Sequence, residues 1–144
     1  MIIIRIAQDQ DCKELSRLSL QLGYPCSPED CRKFFRHLEL DPDHIVYVAQ
    51  SSEDVITGFA HVFKTKRLFL DPFGEIGGLV VDDKFRGKGI GKALLDYSEK
   101  WLIKQGCCEM RVRSNVIREE AHNFYLNQGY LINKQQKVFL KEFS

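Results

Sequence analysis

The stretch Glu75–Lys104, EIGGLVVDDKFRGKGIGKALLDYSEKWLIK, constrains the fold more than any other part of the chain. Gly77 to Val81 is an apolar run of strand type, and Asp82 and Asp83 end it. A basic turn follows at once, Arg86-Gly87-Lys88-Gly89-Ile90-Gly91-Lys92. Ile90, Ala93, Leu94, Tyr97 and Trp101 then recur at the spacing of one helical face. A strand feeding a glycine turn at a helix start builds an anion site. The first helical N–H groups lack partners, the helix dipole is positive there, and glycine lets the backbone touch the ligand. Arg86, Lys88 and Lys92 add charge. The turn reads as a cradle for a pyrophosphate, with main-chain N–H groups from Arg86 to Lys92 facing it.

Three other phosphate motifs fail on the residues. Arg86 stands where a Walker A loop needs its first glycine, and Ala93 follows Lys92 where Ser or Thr is required. A dinucleotide fingerprint counted from Gly87 meets Lys92 at its last glycine. A kinase glycine loop joins two strands, whereas a helix follows here. The pattern that fits is Arg86-x-x-Gly89-x-Gly91 between a strand and a long helix. It resembles the acyl-CoA-binding motif of the GNAT superfamily of N-acetyltransferases. Ala121-x-x-Phe124-Tyr125-x-x-x-Gly129-Tyr130 resembles the C-terminal signature of the same superfamily, in the right order and one strand later.

A chain of 144 residues has the size of one domain, and its 44% hydrophobic content places it among globular proteins. A net charge of +1 argues against a nucleic-acid binder. No apolar stretch is long enough to span a membrane, and Met1 to Arg5 is too short for a signal peptide. Cys12, Cys26, Cys31, Cys107 and Cys108 form an odd set without zinc spacing, which reads as reduced thiols in a cytoplasm. His37, His44, His61 and His122 show no metal-ligand spacing, so no metal is expected.

Taken in order, Ile2 to Ile6 reads as a strand. A helix capped by Asp9 or Asp11 ends at Gly23, and a second starts at Ser27-Pro28 and stops at Asp41-Pro42-Asp43. Ile45 to Ala49 and Val55 to Lys64 read as a hairpin about the turn Ser51 to Asp54. His61 within it reads as structural. Lys66 to Phe73, with Asp71-Pro72, reads as a loop. Beyond the central helix come a strand from Cys108 to Arg113, a helix from Val116 to Gln128, and strands at Tyr130–Ile132 and Val138–Phe143. No linker or repeat interrupts residues 1–144, so one domain is expected.

The resemblance implies an α/β (α+β) fold: a mixed, mostly antiparallel, splayed sheet of about six or seven strands with about four helices. It implies transfer of an acetyl group from acetyl-CoA to a primary amine by direct attack in a ternary complex. By that resemblance Leu79, Val80 and Val81 offer main-chain groups to pantetheine, and one N–H, that of Leu79, polarises the acetyl oxygen. Gly77-Gly78 inside an apolar strand marks a bulge, a close backbone approach, or tight packing against a helix. Glu75 stands where several family members carry a glutamate base; a solvated strand-end carboxylate is the plain alternative. Tyr125 matches the tyrosine that protonates the departing thiolate. Many members place a CoA-contacting asparagine three residues before the motif alanine. Arg118 occupies that place here, and Asn115 lies three residues earlier. Tyr24, Pro25 and Cys26, between the first two helices, fall where the family's acceptor site lies. The expected partner is a small-molecule amine, with a protein lysine or N-terminus, or binding of acyl-CoA without turnover, as alternatives. A homodimer stays open.

Overall fold

Strand-forming apolar segments pair in chain order into one five-stranded sheet, β1-β2-β3-β4-β5. The computed structural model describes residues 1–114 and 118–144. The strands are β1 (Ile2–Ile6), β2 (His44–Ser51), β3 (Ile56–Arg67), β4 (Leu70–Val81) and β5 (Met110–Val112). The helices are α1 (Cys12–Leu22), α2 (Pro28–Glu39), α3 (Ile90–Lys104) and α4 (Glu119–Asn127). Neighbouring strands from β1 to β4 run antiparallel, and β4 pairs with β5 in parallel. This is the mixed, mostly antiparallel architecture expected, with fewer strands.

Asp11 stands at the N-cap of α1, but its carboxylate accepts from Arg5 and the Gln8 N–H rather than capping the helix, and Gly23 ends α1 in the left-handed region; α2 starts on its sequence signals. The Ser27 side chain accepts from the Asp30 N–H, with Pro28 in the first turn. Alternation along the strands divides the core between two faces. Val46, Val48, Phe59 and Val80 pack with Cys12, Leu15, Leu18 and Phe35 on the α1–α2 face. Tyr47, Ala49, Ala60 and Val62 pack with Ile90, Leu94 and Leu102 on the α3 face.

Two expectations are corrected. Lys66 to Phe73 is not a loop: β3 and β4 extend into it and leave only a tight connection around Leu68 and Phe69. Pro72 is tolerated because the ladder is irregular between Thr65 and Arg67, so a missing N–H costs little there. The strands expected at Tyr130–Ile132 and Val138–Phe143 do not form. Leu131, Val138, Phe139 and Leu140 are 85–90% exposed, so these apolar runs have no ladder and no face to bury. The chain divides into two compact units, Met1–Val112 and Arg113–Ser144.

Candidate active site

Within the first unit, β4 runs through a single-turn 3₁₀ helix, Asp83–Phe85, into the basic turn and α3. Gly87 and Gly89 have φ of +77° and +78°, the left-handed region that favours glycine. Gly89 is the N-cap of α3, and an added Cβ at either glycine would meet nothing within 4 Å. The space over the turn is therefore open. Ala93 N–H donates to the Gly89 carbonyl, which leaves the N–H groups of Ile90, Gly91 and Lys92 ahead of the helical ladder. Arg86 pairs with Asp83 at 2.8 Å, Lys92 with Asp96 at 2.8 Å, and Lys88 lies over the Phe85 ring. Two of the charges expected to face an anion thus have carboxylate partners here, that of Lys92 a helical turn further along α3.

β4 is paired on both edges only where Gly74–Ile76 meet Met110–Val112. Among the described residues, Gly77 to Val81 have a neighbour on the β3 edge alone. Asp82 N–H donates to Thr57 on β3, so strand alternation turns the main-chain groups of Leu79 and Val81 to the open edge. The Val81 carbonyl accepts from Arg86 Nε at 3.4 Å, from outside the ladder.

The glycine pair is a bulge. His61 pairs with Gly78 and Val62 with Ile76, which leaves Gly77 as the extra residue. Both glycines turn the same way. A Cβ on Gly77 would lie 2.5 Å from His61 Nδ1 and 3.1 Å from Phe63. One on Gly78 would lie 3.3 Å from Leu22 and 3.6 Å from Phe59. Of the alternatives the sequence left open, Gly77 is the bulge and Gly78 packs against Leu22 of α1.

That face carries the other polar groups. Glu75 is only 7% exposed, and its Oε2 accepts from Thr65 Oγ1 at 2.6 Å. His44 Nδ1 and His61 Nε2 are 2.9 Å apart, and both rings pack on Phe63. Burial, with the His44 charge adding to it, pushes His61 down to about 4. Sequence reasoning missed this pair because strand register alone brings the two histidines together.

The end of α1 is fastened to the end of β4. Arg17 pairs with Asp82 at 2.8 Å, and the Gln21 side chain accepts from Asp83 N–H at 3.0 Å. Burial alone would raise the Asp82 carboxyl. The Lys84 N–H, Arg17 and Gln21 outweigh it and hold Asp82 below the usual range. Leu22 then lies beside Gly78, and Tyr24, Pro25 and Cys26 follow directly, with Tyr24 exposed. The Cys26 carbonyl accepts from Ser16 Oγ.

In the second unit, Tyr125 is half-buried on α4, with edge contacts to Phe124 and Tyr130. Burial raises its phenol to about 12, and the Arg118 charge only partly offsets this. Asn115 lies outside the described residues. Among the described residues no His, Cys, Asp and Glu cluster is placed to hold a metal, and no helix is long and apolar enough to cross a membrane.

A segment of 57 residues is 40% identical to the aminoalkylphosphonate N-acetyltransferase of Salmonella typhimurium. It covers 40% of this chain and 37% of that protein, so the match spans little more than a third of the relative. Over 132 residues the chain is 27% identical to aminoglycoside N(6')-acetyltransferase type 1 of Stenotrophomonas maltophilia, covering 88% of this chain and 84% of that one. The fold matches that of AAC(6')-Iy, solved with the bisubstrate analogue CoA-S-monomethyl-acetylneamine, at a TM-score of 0.86. Identity there is 20%, over 99% of each chain. Residues 7–130 match the acetyltransferase (GNAT) family as a whole. That span takes in both signatures, from the strand before the basic turn to Tyr130: the chain belongs to the acetyltransferase (GNAT) family and is an acyltransferase enzyme.

Proposed function

We propose that this chain transfers the acetyl group of acetyl-CoA to a primary amine of a small molecule, by direct attack in a ternary complex. One observation carries the reading. Among the described residues, the open edge of β4 at Leu79 and Val81 is followed, after the single 3₁₀ turn Asp83–Phe85, by the open glycine turn before α3. A thioester arm laid along the first would deliver its pyrophosphate to the second. Leu79 and Val81 then supply main-chain groups to pantetheine; Val80, expected to do the same, turns its main-chain groups to β3 instead. Arg86, Gly87, Lys88, Gly89, Ile90, Gly91 and Lys92 hold the phosphates. Leu79 N–H faces the developing oxyanion. Glu75 draws the amine's proton through water, and Tyr125 protonates the leaving thiolate. A phenol kept neutral by burial retains the proton that this step requires. Tyr24, Pro25 and Cys26 border the acceptor, and the protein works in the cytoplasm. The small-molecule choice is supported by the aminoalkylphosphonate and aminoglycoside enzymes among its relatives.

The test is a screen of amines for CoA release from acetyl-CoA, read with a thiol reagent. Amine-dependent release with N-acetylated product is expected for small polar amines. Release with peptides alone would overturn the acceptor class, and no amine-dependent release would overturn the activity. Acetyl-CoA at about 100 times Kd should stabilise the fold by roughly 2.7 kcal/mol. A truncated pantetheine thioester should do so much less.

A further inference from the structure

We propose that His61 is a direct proton acceptor for the attacking amine, and that His44 carries the proton from it to the surface beside Asp41. The inference rests on the acetyltransferase reading above and adds a second proton route to the one through Glu75.

The geometry is a line of three groups on the α1–α2 face. Asp41 Oδ2 is 3.7 Å from His44 Nε2, and His44 Nδ1 is 2.9 Å from His61 Nε2. Only one proton fits between the two rings. The Asp41 carboxylate favours a proton on His44 Nε2, which leaves His44 Nδ1 to accept from His61 Nε2–H. His61 Nδ1 then carries the lone pair. That atom faces the bulge, 2.5 Å from where a Cβ on Gly77 would stand, and Gly77 itself is exposed. The extra residue in β4 is a glycine because the imidazole occupies the space any side chain would need. Phe63 holds the arrangement, with ring centroids 4.9 Å from His44 and 5.2 Å from His61.

Among the described residues, His44 on β2 faces His61 directly, Asp41 lies beyond His44, and Glu75 stands on β4 beyond Gly77. Of these the His44 charge bears on it most, in the same sense as burial. The ring is therefore neutral near pH 7, and a proton received at Nδ1 does not stay. Glu75 is less directly placed. It lies two residues before the bulge and is buried against Thr65.

The step balances as follows. The amine nitrogen bonds to the acetyl carbon and the C–S bond breaks. The nitrogen's extra proton passes to His61 Nδ1, the Nε2 proton of His61 to His44 Nδ1, and the Nε2 proton of His44 to water beside Asp41. The thiolate takes a proton from the Tyr125 phenol, as proposed above, and water returns one to the phenolate. Exchange with water at the two outer nitrogens restores the starting tautomers.

The experiment compares wild type with His61→Asn, His61→Ala and His44→Phe, using acetyl-CoA with neamine and with an aminoalkylphosphonate. His61→Asn is expected to lower kcat about 10²-fold, at the low end for general base catalysis. Acetyl-CoA Kd and melting temperature should change little. Added imidazole should restore about tenfold of the His61→Ala loss, because it can occupy the vacated space. His44→Phe keeps the stack and should lose less. Wild-type turnover with His61→Asn within about twofold of it would overturn the route. So would a loss that imidazole does not rescue and that acetyl-CoA affinity shares. If wild type acetylates neither amine, the acceptor reading fails separately. The route is then judged by ¹⁵N NMR of the histidines, which needs no turnover. Unprotonated His61 Nδ1 with a proton on Nε2 is expected, and a proton on Nδ1 would overturn the assignment.

Discussion

The glycine turn before α3 and the histidine pair beside the bulge serve the same strand but are built in opposite ways. The turn is contiguous backbone: its shape depends on Gly87 and Gly89 holding φ near +77° and +78°. The pair is side chain, drawn from strands and closed by register, since His44 and His61 are 17 residues apart and Gly77 comes from a third segment. A local site fails when its backbone is strained. A register-built site fails when a neighbour intrudes, even if every local conformation is allowed. Substitutions should therefore separate cofactor binding from proton handling.

Gly77→Val should have the largest effect. Its side chain meets His61 and Phe63, displaces the imidazole, and should lower kcat by about 10²-fold or more. Acetyl-CoA affinity by calorimetry should be nearly kept. Parallel losses in both would merge the two sites. Tyr125→Phe should follow, with kcat down about 10²-fold and acetyl-CoA Kd almost unchanged. Unchanged kcat, with chemistry rate-limiting, would reduce that phenol to packing.

Gly89→Val attacks the other construction. A β-branched residue at this φ costs about 1–3 kcal/mol, and acetyl-CoA affinity should fall roughly 10–100-fold. Its kcat at saturating cofactor should stay near wild type, and normal binding in calorimetry would show the cradle to be misplaced. The smallest effect concerns acid stability. The folded His61 value of about 4 lies below the ordinary 6.5, so the unfolded chain binds more protons between them. Stability is full above the ordinary value and is lost as pH falls toward the folded one. His61→Asn should flatten the fall in melting temperature across that window, by several degrees or more. An unchanged slope would mean that the imidazole is not desolvated.

The same contrast governs what could be read in advance. The β4–turn–α3 passage and the Ser27 cap were legible, and Gly77–Gly78 marked an irregular strand without saying which kind, because glycine, proline and small polar residues report local backbone needs. Asp71-Pro72 misled because proline argues against a strand only where its N–H is wanted, and the ladder is irregular there. The apolar runs at Leu131 and Val138–Leu140 misled because alternation names a strand without naming its partner. His61 looked structural because nothing near it in sequence shows that His44 lies 2.9 Å away. Glu75 and Leu79 were singled out by family resemblance; the alternation set by Asp82 and Thr57 fixes which way Leu79 faces, while Glu75, across the bulge, is fixed by its pairing with Phe63 and its bond from Thr65.

The extra residue at Gly77 has a consequence for the protein's solubility. Among the described residues, Gly77 to Val81 of β4 have no strand partner on the edge away from β3, and such an edge is the template on which sheets add foreign strands and aggregate. A docking strand needs a strict two-residue repeat to bond along such an edge. The bulge breaks that repeat at the point where the edge begins. An extended arm with one or two amides has no repeat to keep and is not turned away. The irregularity that makes room for a side chain on one face thus makes the edge a poor template for a foreign strand, while leaving it usable by the cofactor arm proposed above.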